Sequence, residues 1–331
     1  MITSISNAKV KQVIQWQTKA KERRRDNVFT AEGVKMFEEA PEAWIREVYV
    51  SESFASENLT PGSLPSQDLS SQGLTSEVLH SEGLLSEGWA SGILASGKLS
   101  LEGLLSQDLS SVDLPSQGLT SETKRQKRGL RDKLRKGGCE IVADNVFAKM
   151  SDTQTPQGIL TVLHRPTYRL EELLQASNPL FVVLENLQDP GNLGTILRTG
   201  EGAGITGVIM SRNTVDIFNP KTIRSTMGSV YRVPFLYVDD LEQTIGTLRD
   251  HGVKTYAAHL AGEQFYDEFS YREPTAFLIG NEGNGLTQET ARCADSYLKI
   301  PMEGQLESLN AAVATALLIY EAHRQRMKTG G

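Results

Sequence analysis

The chain has 331 residues, of which 39% are hydrophobic, and a formal net charge of −7, a length and composition that suit two globular domains. Its two cysteines, Cys139 and Cys293, and its five histidines show no metal-ligand or redox spacing, which argues against a zinc site or a disulfide scaffold. Met1-Ile-Thr-Ser-Ile-Ser6 lacks a signal-peptide pattern, and the apolar stretch Ala311–Tyr320 is shorter than the roughly 18 residues of a spanning helix. A cytoplasmic protein without membrane association is expected.

In chain order, Ser6-Asn7 caps a helix carrying Val10, Val13, Ile14 and Gln17, and the basic run Lys19–Arg25 follows. Val28–Thr30 is a short strand, Glu32-Gly33 leads into a helix over Val34–Ala40, and Arg46–Val50 is a second strand. Beyond residue 124 come a basic helix ending at Gly137-Gly138, a strand Glu140–Val142, a helix Asp144–Met150 and a strand Ile159–Leu163. This alternation predicts a small α/β domain.

A tract of period five interrupts it at about 55–122. Leu59, Leu64, Leu69 and their successors to Leu119 keep step, with Trp89 filling one slot. A period of five matches neither helix nor strand. A pentapeptide solenoid would turn the residue two before each leucine inward, and Glu57, Gln67, Gln72, Glu77, Glu82 and Glu87 stand there, which burial would penalise. Disorder is therefore the favoured reading and a solenoid the alternative. Residues 55–121 hold eight carboxylates against Lys98 alone, an excess equal to the whole net charge of −7. The rest of the chain is formally neutral, with basic clusters at Lys19–Arg25 and Lys124–Lys136 that suit phosphate contacts or a solvated face.

The remainder carries three stretches, each after a strand-like run. Phe181–Leu184 precedes Asn186-Leu-Gln-Asp-Pro-Gly-Asn-Leu-Gly-Thr-Ile-Leu-Arg198, where Asp189-Pro-Gly191 breaks the strand, Asn192 occupies a helix-cap position, and Leu193, Ile196 and Leu197 stripe the next helix. Gly202-Ala-Gly-Ile-Thr-Gly207 spells a dinucleotide fingerprint in reverse context, after a helix and before the strand Val208–Met210, and reads as a helix C-cap and turn. Ala276–Ile279 precedes Gly280-Asn-Glu-Gly-Asn-Gly-Leu286, whose glycines permit close backbone approach to a ligand; Glu282 is its only charge, and a plain role for it is to cap a helix over Thr287–Ala294. Tyr297–Met302 leads to a loop and a helix that starts at Ser308. Leu309, Ala312, Val313, Ala316, Leu317 and Tyr320 share one face of that helix, the opposite side is also small or apolar, and burial on most sides, in a core or a subunit interface, is predicted. Ser308 and Asn310 at its amino end suit an anion or simple capping. Loops at the carboxyl ends of parallel strands are where ligands bind.

Together the stretches 186–198, 279–286 and 300–310 resemble the three signature motifs of the SPOUT superfamily, in its SpoU/TrmH branch of RNA ribose 2′-O-methyltransferases. Phe29-Thr-Ala-Glu-Gly33 and Ser151-Asp-Thr-Gln-Thr-Pro-Gln-Gly158 are similar to the L30e-like substrate-binding domain that precedes many such catalytic domains. The resemblance implies an L30e-like domain at 1–165, a linker at 166–177, and at 178–331 an α/β parallel-sheet domain tied in a trefoil knot. It further implies S-adenosylmethionine as cofactor, held by Ile279, Gly280, Asn281, Glu282, Gly285, Ile300, Pro301, Met302 and Leu309, and a homodimer acting on RNA. Arg198 matches the family's catalytic arginine, as a base or as an orienting and alkoxide-stabilising group; Asn192, Glu282, Ser308 and Asn310 match the other catalytic positions. Arg23, Arg24, Arg25, Glu32 and Arg224 are the implied RNA contacts, and no metal is implied. Asn310-Ala-Ala-Val313 departs from the Asn-Val-Ser-Val of many relatives. Ribosomal RNA is preferred as substrate, with transfer RNA open; a non-catalytic knotted RNA-binding protein is the alternative class.

Overall fold

The computed structural model describes residues 1–59, 121–305 and 308–327, and only the backbone of 121–128. The chain divides into two compact units, Met1–Leu59 with Gly129–Gly331, and Thr60–Arg128. Of the second unit, only the start of one helix is described.

The first unit contains two sheets. The smaller has the order β1-β4-β2-β3, formed by β1 (Val28–Glu32), β2 (Ile45–Ser51), β3 (Glu140–Val142) and β4 (Ile159–His164). β4 is antiparallel to both neighbours, and β2 and β3 are parallel. Helices α1 (Ala8–Thr18), α2 (Ala20–Asp26), α3 (Val34–Glu39), α4 (Glu52–Leu59), α5 (Ser121–Gly137) and α6 (Asp144–Met150) belong to this part of the chain. Asn7 caps α1 as its side chain foretold, accepting from the Lys9 N–H at 2.9 Å.

The larger sheet is parallel throughout. It has the order β7-β6-β5-β10-β8-β11-β9, from β5 (Leu180–Leu184), β6 (Gly207–Ser211), β7 (Phe235–Val238), β8 (Lys254–Ala258), β9 (Gln264–Phe265), β10 (Thr275–Ile279) and β11 (Ser296–Lys299). All five residues of β5 and of β10 are buried, as expected of central parallel strands covered on both faces. Each buried Val, Leu, Ile or Phe there contributes about 1.5–3 kcal/mol of transfer free energy. Its helices are α7 (Leu170–Leu173), α8 (Pro190–Ala203), α9 (Pro220–Thr226), α10 (Leu241–Asp250), α11 (Gln288–Arg292) and α12 (Ala311–Met327).

The two sheets share one apolar core. Phe29, Ala31, Met36, Ala40 and Leu163 of the smaller part lie in the same cluster as Leu193, Phe218, Val230 and Tyr231, and the Phe29 and Phe218 rings stand 4.9 Å apart. The expected linker 166–177 is a packed segment: Tyr168 meets Phe235 edge-on at 5.4 Å, and Leu170, Leu173 and Leu174 of the α7 turn pack against the core of the larger sheet.

The period-five tract lies outside the described residues, apart from its margins. The start expected near 55 is corrected: Ala55 is buried inside α4, which runs to Leu59. Leu130 and Leu134 of α5 pack with Phe54 and Ala55, and the Arg131 Nε donates to the Asn58 carbonyl at 2.5 Å. The ends of the tract are thus held together by packed helices, and closing a long loop costs only about 0.6 kcal/mol per doubling of length. Excising 61–119 and bridging the gap with a short Gly/Ser linker is expected to leave the melting midpoint unchanged or raised by up to about 5 °C. Insoluble protein after excision would show that the tract is a structural part.

Candidate active site

The loops after β5, β10 and β11 all leave the carboxyl edge of the larger sheet. Helix α8 begins earlier than the sequence suggests. Asp189, not Asn192, is its N-cap and accepts from the Asn192 N–H at 2.8 Å, with Pro190 in the first turn, where proline loses no hydrogen bond. The Asn192 side chain is thereby released from capping. Its Nδ2 donates to Glu282 Oε1 at 3.0 Å, and its Oδ1 accepts from Asn310 Nδ2 at 2.9 Å. One asparagine so joins all three loops.

Glu282 does not cap the helix after it. Its carboxylate accepts from the backbone N–H groups of Gln188 and Asp189, each at 3.0 Å, besides Asn192. Desolvation alone would raise its proton affinity; the hydrogen bonds from the Asn192 side chain and the Asp189 and Gln188 backbone outweigh this and hold the carboxyl below its ordinary range. The cap of α11 is Thr287, and the acid beneath it is buried Glu185, which accepts from the Thr287 N–H and from both threonine hydroxyls of Thr287 and Thr290. Glu185 ties the end of β5 to the helix after the second loop; no motif pointed to it.

The loop Gly280–Leu286 closes on itself. Asn281 and Gly285 exchange two backbone hydrogen bonds, at 3.0 and 2.9 Å, Asn281 Oδ1 accepts from the Gly283 and Asn284 N–H groups, and Gly285 has φ +68°. A Cβ on Gly280 would lie 2.0 Å from the Gly285 carbonyl carbon. Helix α12 starts at Ala311 with Asn310 as its cap, accepting from the Ala312 N–H at 2.9 Å. Ser308 is therefore not the helix start and lies in the loop before it.

These loops enclose a cavity of about 340 Å³. Of the cofactor positions implied by resemblance, Ile279, Gly280, Asn281, Glu282, Gly285, Ile300, Met302 and Leu309 line it, and Ser308 does as well. Pro301 is exposed and does not. Ala258, His259 and Leu260 also line it; they were not foreseen, because only the sheet order brings the end of β8 between those of β10 and β11. A pocket with apolar walls of Leu286, Leu298 and Leu309, rimmed by backbone polar groups, suits a nucleoside-sized ligand.

Arg198 is exposed in the third turn of α8, and among the described residues no hydrogen bond or ion pair holds its guanidinium. It shares a helix face with Gly202, over which the Tyr320 hydroxyl of α12 lies. Helix α12 buries Ala311, Ala312, Thr315, Leu318, Ile319 and Ala322. Of the face expected to be buried, Val313, Leu317 and Tyr320 are exposed, by 49%, 37% and 46%.

The implied RNA contacts fare differently. Arg23 is 3% exposed and donates to the Trp16 and Gln17 carbonyls and to Asp216, at 2.7 Å; it joins the two sheet systems. Arg25 is paired with Asp26 and Glu22, and Glu32 accepts from Ser151 and Thr153, fixing the loop before β4. Arg224 pairs with Asp152 at 2.7 Å. Only Arg24 is exposed without such a partner among the described residues. Arg23→Gln removes the donor shared by the Trp16 and Gln17 carbonyls and Asp216, and a loss of about 1–3 kcal/mol in denaturant unfolding is expected; a change below about 0.5 kcal/mol would show that Arg23 is dispensable to folding.

A parallel α/β sheet with three interlocked loops around a nucleoside-sized cavity defines the class, and relatives place the chain within it. Residues 179–320 match the SpoU rRNA Methylase family. The 23S rRNA (guanosine(2553)-2′-O)-methyltransferase RlmP of Bacillus subtilis is 37% identical over 182 residues, 55% of this chain and 71% of that protein. A Synechocystis protein described as an uncharacterised tRNA/rRNA methyltransferase is 34% identical over 189 residues, 56% of this chain and 67% of its own. The AdoMet-bound crystal structure of an rRNA methyltransferase from Sinorhizobium meliloti superposes with a TM-score of 0.69 at 26% identity, covering 98% of this chain and 97% of that one. The chain belongs to the SpoU rRNA methylase family.

Proposed function

We propose that this protein is an S-adenosylmethionine-dependent RNA methyltransferase that modifies a ribose 2′-hydroxyl, with ribosomal RNA as its substrate. The observation that carries the reading is the hydrogen-bond chain Glu282–Asn192–Asn310, which locks the three motif loops around the cavity. The cavity fits the cofactor: Gly280 leaves room against the Gly285 backbone, and Ile279, Leu286, Leu298 and Ile300 offer an apolar bed with loop N–H and C=O groups at its edge. When bound, that cofactor supplies an electrophilic methyl group on a sulfonium. The residues of this chain then position the ribose and manage one proton. Arg198 presents a planar fork of N–H donors and no acceptor, so its role is to orient the hydroxyl and stabilise developing alkoxide charge. Ser308 and Asn310 hold the loop edge where the target nucleotide enters.

Residues 1–165, apart from the period-five tract that interrupts them, form the L30e-like RNA-gripping part and 178–331 the knotted catalytic part; the small mixed sheet and the placement of β10 between β5 and β8 support this division and the trefoil knot. The protein acts as a cytoplasmic homodimer through α12, whose exposed Val313, Leu317 and Tyr320 support a subunit interface beside Arg198; among the described residues no helix is long and apolar enough to cross a membrane. Mapping 2′-O-methyl groups in ribosomal and transfer RNA from cells with and without the gene tests the substrate. A site lost from 23S rRNA is the expected result, and one lost only from transfer RNA would overturn the ribosomal assignment.

A further inference from the structure

The seam between the two sheet systems holds more positive charge than its acid can neutralise. Asp216, in the loop after β6, is already engaged: Oδ2 accepts from Arg23 at 2.7 Å, and Oδ1 accepts from the Phe218 N–H at 3.1 Å. Two further arginines stand beside this pair. Arg165 follows β4, and its guanidinium lies 4.5 Å from the centre of the Phe218 ring. Its backbone N–H donates to the Asn27 carbonyl, and the Asn27 N–H donates in turn to the Arg24 carbonyl, so one residue links the backbones of Arg24 and Arg165. Burial lowers the proton affinity of Arg165 first, Asp216 pulls it back up, and Arg24 and Arg23 push it down again.

The Arg165 Nε is shut off from solvent and has no acceptor, and among the described residues no ion pair engages Arg165 or Arg24. The side chain as a whole is only partly buried, so its terminal N–H groups, not the sealed Nε, are the donors open to a ligand. The ring of Phe218 holds the guanidinium plane in place, which suits a fork aimed at an oxyanion. The seam also adjoins the active site, since the Val215 N–H donates to the Leu187 carbonyl of the first motif loop at 2.8 Å.

We propose that Arg165 and Arg24 together grip one backbone phosphate of the RNA substrate at this seam. This contact, which rests on the RNA methyltransferase reading of the active site, takes the place of one through Arg23, whose side chain is buried. The test measures the affinity of the full-length protein for protein-free 23S rRNA across a salt series, with methyl transfer by the unmutated protein assayed in parallel. Arg24→Gln and Arg165→Gln are each expected to weaken binding about five- to tenfold at 0.1 M salt and to reduce the log–log salt slope by about 0.7–0.9. Because one phosphate is shared, the double variant should lose no more slope than either single one. Arg165→Lys should recover the slope and only part of the affinity. Unchanged slopes in a protein whose unmutated form transfers methyl groups would overturn the site alone, and so would a double variant that loses two units of slope. Should Arg165→Gln fail to fold, Arg24→Gln decides by itself, its side chain being exposed. An unmutated protein that neither binds nor methylates the RNA would overturn the functional reading instead.

Discussion

Replacing Arg198 with alanine is expected to lower methyl transfer by about a hundredfold or more while leaving cofactor affinity and melting temperature close to those of the unmutated protein. Two observations make the separation sharp. Arg198 does not line the cavity formed by the second and third motif loops, and it is exposed without an ion pair among the described residues, so its removal costs the fold little. Calorimetric titration with the cofactor and a methylation assay read the two effects separately. Arg198→Lys divides the chemistry further. A lysine keeps the charge but loses the planar fork, so partial activity would indicate electrostatic stabilisation of the developing alkoxide, and none would indicate bidentate orientation of the ribose. Turnover of Arg198→Ala within a few-fold of normal would remove it from the site.

Gly280→Ala is expected to have the opposite signature, with cofactor binding lost first. An added Cβ would sit 2.0 Å from the Gly285 carbonyl carbon and 2.1 Å from the Leu286 nitrogen. Both are backbone atoms, so no rotamer change relieves the overlap, and the Asn281–Gly285 turn must open. Overpacking of this kind costs about 1–3 kcal/mol, occasionally more, and a loss of about 3 kcal/mol in the cavity's shape corresponds to about a hundredfold in affinity. The buried strands β5 and β10 are untouched, so far-UV circular dichroism should persist. Cofactor affinity within threefold of normal would mean that the cavity is not the binding site.

The local elements were legible because their signals are local. Asn7 caps its own helix, and the apolar runs 181–184 and 276–279 are each bounded by turn residues. The glycines at 202–207 likewise resolve as read, with Gly204 in the left-handed conformation closing α8. Cap positions were less secure. Asp189 and Asn192 are both good capping residues three positions apart, and only the partners waiting on other loops, Glu282 and Asn310, decide which one caps and which one bridges.

The sequence by itself determined the alternation of strands and helices, the order of the three motif stretches, and the family they resemble, because periodicity and short-range turn chemistry are written in consecutive residues. Tertiary structure alone decided the function of individual side chains whose partners are remote in sequence. Arg23 reads as one of three surface arginines, yet Asp216, 193 residues away, makes it a buried strut. His259 and Leu260 carry no signal and line the cavity because β8 lies between β10 and β11. On α12, apolar residues surround the helix, and only its packing on α8 and β10 selects which side is buried and which, with Val313, Leu317 and Tyr320, is left facing outward. A pattern of residue types fixes how a segment can fold; which neighbour meets each face depends on contacts that chain order does not encode locally.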